Sequence, residues 1–187
     1  GYIVACQNTA EISNLKENSN DEEFAGGIVA ILETATIENS KNTGNVIGST
    51  NIGGIAGESK GTITQCRNDG QVSKVVGVIC KTVNLGGLVG KNGEAARLSN
   101  SKNHGNVNSE TDTLVNLGGI CGILYNNSIV ELCENNGAIS GSGKEIIPNE
   151  DTNTNCASCT SNNGGSASTD DFGQLNIGII YGKYQEI

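Results

Sequence analysis

The chain has 187 residues, a formal net charge of −9, 27 glycines, one proline and only 3% aromatic residues. That charge argues against nucleic-acid binding, which needs clustered Lys and Arg with aromatic platforms, and no apolar run reaches the roughly 18–20 residues of a membrane-spanning helix. The apolar residues are mostly Ile, Val, Leu and Ala, which suits narrow stacked β-coils better than a helix bundle.

The first residues carry a signature, CQNTAEI (6–12), that returns as SKNTGNV (40–46), CRNDGQV (66–72), SKNHGNV (101–107) and CENNGAI (133–139). A weaker copy, CTSNNGG (159–165), lies one residue out of register. Between these copies recur glycine pairs followed by apolar residues. They are Gly26–Gly27 in AGGIVA, Gly53–Gly54 in IGGIAG, Gly86–Gly87 in LGGLVG and Gly118–Gly119 in LGGICG, with a degenerate IGIIYG at 177–182. Self-similarity of this kind marks a solenoid, in which each repeat buries its apolar face only against its neighbours.

Stacking the copies gives four columns. Two are apolar and are expected to point inward: Ile3, Ile37, Ile63, Leu98, Val130 and Ile12, Val46, Val72, Val107, Ile139. A small column, Cys6, Ser40, Cys66, Ser101, Cys133 and Cys159, permits close packing where the coil turns. The fourth, Asn8, Asn42, Asn68, Asn103 and Asn135, is read as a structural ladder, because asparagine side chains stacked ~4.8 Å apart can hydrogen-bond along the stack. The glycine two residues on (Gly44, Gly70, Gly105, Gly137) is expected to supply a positive φ. The glycine pairs are expected to let the backbone turn sharply or pass close to a neighbour. No 3.6-residue apolar period supports a helix. The longest insertions fall at 14–24, 73–84 and 141–172.

The two ends belong to one repeat. Residues 176–187 followed by 1–13 align without a gap on 116–140: Asn176 with Asn116, Gly178 with Gly118, Gly182 with Gly122, then Ile3 with Val130 and Cys6 with Cys133. The expectation is a single β-helical repeat domain over 1–187, all-β, a single-chain parallel β-helix of about six irregular coils open at both ends. Half-coils at 1–13 and 176–187 would complement one another across units, with a long loop insertion at about 141–175. Tyr2, Ile3, Ile177, Ile179 and Tyr181 form the expected assembly junction.

At its glycine pairs and its C/S-x-N-x-G turns the chain resembles the GLUG-motif repeats of bacterial surface proteins. The best fits are GGIAG…ITQCRNDGQV (53–72) and LGGLVG…LSNSKNHGNV (85–107). The resemblance covers most of the chain except about 141–175. It implies a right-handed β-helix, a hand that parallel crossovers favour in general, exported to the cell surface or secreted, in adhesin-like or fibrous proteins. No catalytic residue maps from it onto this chain.

Few residues suggest chemistry. His104, the sole histidine, occupies a turn position where other copies have Thr43, Asp69 and Asn136, so an exposed turn residue is expected rather than a catalytic base. Cys156 and Cys159 form a CxxC without a βαβ context or a second ligand pair for zinc. Seven cysteines in an acidic, Asn/Ser/Thr-rich chain suit an oxidising setting. Cys6, Cys133, Cys156 and Cys159 are the candidate disulfide partners. Stacking would put Cys133 beside Cys159, and Cys159 beside Cys6 of a following unit; the alternative is a buried reduced cysteine alternating with serine. Asp21–Glu23 and the group Glu150, Asp151, Asp170, Asp171 admit a Ca²⁺ site, but no spaced calcium motif is present and solvated loop charge is favoured. Asn126-Asn127-Ser128 fits a glycosylation acceptor.

The expected function is that of an extracellular structural protein, not an enzyme, with no cofactor and itself as partner. Its units would stack head to tail or repeat in tandem in a surface fibre. The alternative is a surface adhesin module binding a glycan or host surface protein. A carbohydrate-active β-helix enzyme is a third reading.

Overall fold

A computed structural model describes residues 1–14, 21–75, 80, 82–109, 114–125, 127–148, 156–157, 159–161, 165–178 and 181–185. Among them there is no helix, and every strand pairing is parallel. The chain is a parallel β-solenoid whose short strands fall into five stacks. Stack A holds Tyr2–Val4, Thr36–Glu38, Thr62–Thr64, Arg97–Ser99, Ile129–Glu131 and Cys156–Ala157. Stack B holds Gln7–Asn8, Lys41–Asn42, Arg67–Asn68, Lys102–Asn103, Glu134–Asn135 and Thr160–Ser161. Stack C starts at Ile12–Ser13 and continues through Val46–Gly48, Val72–Lys74, Val107–Ser109, Ile139–Pro148 and Gly165–Gly178. Stack D holds Phe24–Gly26, Asn51–Gly53, Thr82–Gly86, Leu114–Gly118 and the end of Gly165–Gly178, and stack E holds Val29–Leu32, Ala56–Ser59, Val89–Asn92, Cys121–Tyr125 and Tyr181–Gln185.

The all-β solenoid class read from the columns is the class observed. The registers join residues of like chemistry: Ile3↔Ile37↔Ile63↔Leu98↔Val130, and Ile12↔Val46↔Val72↔Val107↔Ile139. Coil number differs. The columns predict six coils, whereas about four turns carry all five strand positions in sequence, from Tyr2 round to Ile129. The D and E strands of the next turn come from the chain's last part, where 175–178 pairs with 115–118 and Tyr181–Gln185 with Cys121–Tyr125. That pairing sets Asn176 beside Asn116 and Gly178 beside Gly118.

The expected loop at about 141–175 also differs. It contributes to the two longest strands, Ile139–Pro148 and Gly165–Gly178, which pair with each other across a register shift between Gly143 and Glu145. Beyond Ile139 these segments lack the column residues. Parallel pairing needs only backbone N–H and C=O groups, so the repeat signature is not required for a strand.

Two apolar clusters fill the interior. One is built from stacks A and E with the residues leading into E, including Ile37, Ile63, Leu98 and Val130 against Ile55, Leu88 and Ile120. The other joins stacks C and D, with Val46, Val72, Val107 and Ile139 against Ile52, Leu85 and Leu117. Each fully buried aliphatic side chain contributes roughly 1.5–3 kcal/mol. Between the clusters, the asparagines of stack B reach across to the glycines linking D to E.

Candidate functional site

The column asparagines form one continuous amide ladder. Asn8 Nδ2 donates to Asn42 Oδ1 at 2.8 Å, Asn42 to Asn68 at 2.8 Å, Asn68 to Asn103 at 2.9 Å and Asn103 to Asn135 at 2.9 Å. Each Nδ2 also donates to the carbonyl two residues ahead, at Ala10, Gly44, Gly70, Gly105 and Gly137. Each Oδ1 accepts the N–H of that same residue. The four interior asparagines are fully buried. Burying an amide costs free energy unless its donors and acceptors are matched, so the ladder sets register as well as contributing energy. Stack B ends at Ser161, opposite Asn135.

The glycine pairs exist for this ladder. A Cβ on the second glycine would collide with an asparagine side chain: Gly27 with Asn42, Gly54 with Asn68, Gly87 with Asn103. The first glycine lies against the carbonyl three residues on, Gly26 against Val29, Gly53 against Ala56 and Gly86 against Val89. Gly118 accepts the Gly87 N–H at 3.2 Å, and the Gly119 carbonyl faces Gly87.

One expectation about glycine is corrected. Gly44, Gly70, Gly105 and Gly137 do not take a positive φ; they are needed because each packs directly on the backbone of the rung before it, at Ala10, Gly44, Gly70 and Gly105. The left-handed turn sits instead just before the small column, at Ala5, Asn39, Gln65, Asn100 and Leu132, with φ of 53°, 49°, 52°, 48° and 52°.

A second ladder lies in stack D. Asn84 Nδ2 donates to Asn51 Oδ1 at 2.8 Å and Asn116 Nδ2 to Asn84 Oδ1 at 2.6 Å, all three residues buried. Its donors run toward the first rung, opposite to the ladder of stack B. Its sequence signal is the asparagine of the N-[IL]-G-G string at 51–54, 84–87 and 116–119.

In the small column, Ser40 Oγ accepts the Cys6 N–H at 3.1 Å and Ser101 Oγ accepts the Cys66 N–H at 3.0 Å. Burial pushes the Cys66 and Cys121 thiols up. The Cys133 thiol is raised by its hydrogen bond with Cys159 and by burial. Cys6 is exposed and Cys159 half-buried, and both are thiols. Cys156 pairs through its backbone with Val130.

His104 is an exposed turn residue whose N–H donates to Asn68 O at 2.7 Å. Glu22 of the acidic run pairs with Lys91 at 3.1 Å, and Glu23 accepts from Asn14 Nδ2 at 3.3 Å. Glu150, Asp151, Asn126 and Ile179 lie outside the described residues. At the expected junction, Tyr2 is 80% exposed, Ile3 is half-buried, and Ile177 and Tyr181 pair through backbone with Leu117 and Cys121.

A groove beside stack E brings together residues that were not singled out from the sequence. It encloses about 280 Å³ and is lined by Glu58, Lys60, Lys91, Gly93, Glu94 and Tyr125. Glu58 is 5% exposed, and its Oε1 lies 3.5 Å from Lys91 Nζ and 3.9 Å from Lys60 Nζ. Lys60 also pairs with Glu33 at 3.4 Å. Lys91 sits 5.8 Å from the Tyr125 ring centre. Burial alone would lower the Lys91 pKa, but Glu22, Glu58 and the tyrosine outweigh it and the net shift is upward. The legible signal was column alignment: Glu58 and Lys91 occupy one register position, where neighbouring rungs carry Ile31 and Ile123.

No protein-family model, curated protein or solved structure matches this chain. Its chemistry is therefore read from the residues alone. The ladders offer hydrogen-bonding continuity along the axis. The groove offers two carboxylates, two ammonium groups and an aromatic ring within one small volume, a set able to hold a polar ligand. Among the described residues no group of three His, Cys, Asp or Glu side chains is arranged to hold a metal ion.

Proposed function

We propose that this chain is a β-solenoid unit of an extracellular structural fibre, extended along its axis by continuing the rungs, either within one polypeptide or between copies. The polarity of the amide ladder carries this reading. Every interior Oδ1 in stack B accepts both a backbone N–H and the amide of the preceding rung, a pattern that each further rung would repeat. The strand order supports it too: the last strands occupy stacks D and E, the first occupy A, B and C, and D–E–A–B–C is the order of every interior turn. A heterologous contact that does not close yields a filament. The test is a head-to-tail fusion of two copies. Its melting midpoint and denaturant slope should exceed those of the single chain, and micrographs should show rods of doubled length. A fusion that melts as two independent units would sink the reading.

A second reading, a surface adhesin module binding a glycan, is favoured by the groove. A carboxylate and lysines can bond sugar hydroxyls, and the Tyr125 ring can take an apolar sugar face. A glycan-array screen with Glu58→Gln and Tyr125→Ala controls tests it; equal signals from all three proteins would dismiss it.

A further inference from the structure

Along the small column cysteine and serine alternate, from Cys6 through Ser40, Cys66 and Ser101 to Cys133, and then cysteine follows cysteine at Cys159. The registers Glu134↔Thr160 and Asn135↔Ser161 put Cys133 and Cys159 opposite one another on adjacent rungs. Parallel neighbours stand ~4.8 Å apart, inside the ~4.4–6.8 Å over which Cα atoms accept a disulfide. The side chains meet: Cys159 packs half-buried on the cluster that contains Cys133 and Cys121. The Cys133 thiol is hydrogen-bonded to Cys159, and it also reaches the carbonyls of Glu131 at 3.3 Å and Leu98 at 3.8 Å. In the two serine rungs a hydroxyl accepts the cysteine N–H of the rung before. A thiol is a weaker acceptor than a hydroxyl, and a cysteine at this serine position brings sulfur chemistry beside Cys133.

We propose that Cys133 and Cys159 are the site of a disulfide that fastens the last strands of stacks A and B to those of the rung before. The oxidant is a small-molecule disulfide such as oxidised glutathione. The half-exposed Cys159 sulfur attacks it, forming a mixed disulfide and releasing one thiol. Cys133 Sγ then attacks Cys159 Sγ and expels the second thiol. Two cysteine thiols are oxidised, one external disulfide is reduced, and the two cysteine protons end on the released thiols. Burial and the hydrogen bond to Cys159 keep Cys133 protonated, so the second step quickens as pH rises. Closing the chain between the two rungs removes freedom from the unfolded state. This inference stands apart from the fibre reading, since it concerns neighbouring rungs of one chain.

The full chain would be incubated with oxidised glutathione at about pH 8.5, near the ordinary cysteine pKa, then digested without reduction and analysed by mass spectrometry. The expected result is a loss of about 2 Da per chain, a peptide joining Cys133 to Cys159, and a melting midpoint several degrees higher, reversed by reductant. Cys156→Ser, which keeps both partners, should still form the link, and Cys133→Ser and Cys159→Ser should not. A Cys156–Cys159 or Cys121–Cys133 peptide, a link between chains through Cys6, or glutathione adducts alone would overturn the proposal.

Discussion

Gly54 lies against the side chain of Asn68, so close that a single methyl group on Gly54 would occupy the space of the asparagine amide and of the Gly87 carbonyl. The amide cannot retreat, because Asn68 is bonded to its neighbours above and below. Gly54→Ala is expected to destabilise the chain by roughly 3 kcal/mol or more. Urea unfolding followed by far-ultraviolet circular dichroism reads this out. A loss under about 1 kcal/mol, the ordinary glycine-to-alanine range, would contradict the tight contact.

Position along the ladder should grade the cost of removing an amide. Asn68→Ala strands the Asn42 amide donor, the Asn103 acceptor and the Gly70 backbone, all in the interior. The expected loss is about 3 kcal/mol. Asn8→Ala, at the half-buried first rung with one ladder partner, should lose less than about 1 kcal/mol. Equal losses in denaturant midpoints would refute a load shared along the ladder.

Asn92 is the opposite case. It is fully buried, neither its Oδ1 nor its Nδ2 has a partner, and its register neighbours are Ser59 and Leu124, with Leu32 beyond Ser59. Asn92→Leu removes an unsatisfied amide at similar volume and should stabilise by roughly 1–2 kcal/mol. A calorimetric midpoint that falls would mean the amide is serving a purpose in the core.

Leu132 holds a left-handed φ of 52° while 55% exposed. The matching positions Asn39 and Asn100 carry a residue that tolerates this conformation. Leu132→Asn should therefore stabilise by about 1 kcal/mol, measured by thermal melting, and Leu132→Val should destabilise.

Asp69 sits between Arg67 Nε at 2.5 Å and Lys41 Nζ at 2.9 Å. Its slight burial works the other way, but the two cations hold its pKa below the usual carboxylate value. A depressed folded-state pKa gives stability present above the unfolded value near ~3.9 and lost as pH falls through the lower folded value. Partly exposed, the trio is worth under about 1 kcal/mol. Asp69→Asn should lower the melting midpoint slightly at neutral pH, where the paired carboxylate contributes, and should flatten the profile below about pH 4, where the two proteins converge.

The chemistry of each column was legible in the amino-acid sequence. An aliphatic position that returns as Ile37, Ile63, Leu98 and Val130 can only be satisfied by stacking, and an asparagine that returns in step can only be buried if it meets its own kind. Period and composition alone thus determined the class of fold, the aligned strands and the ladder of stack B. Three things depended on the tertiary structure. The glycine at 44, 70, 105 and 137 looked like a turn residue, but the turn is at 39, 65, 100 and 132, because close approach between rungs, not backbone twist, excludes a side chain there. The coil count fell to about four complete turns because, beyond Ile139, the long strands Ile139–Pro148 and Gly165–Gly178 pair through backbone without column residues. The groove around Glu58 joins residues tens of positions apart, Glu58 with Lys91 and Tyr125. Which side chains share a surface is set by how the coils lie on one another, a long-range relation that local sequence pattern does not encode.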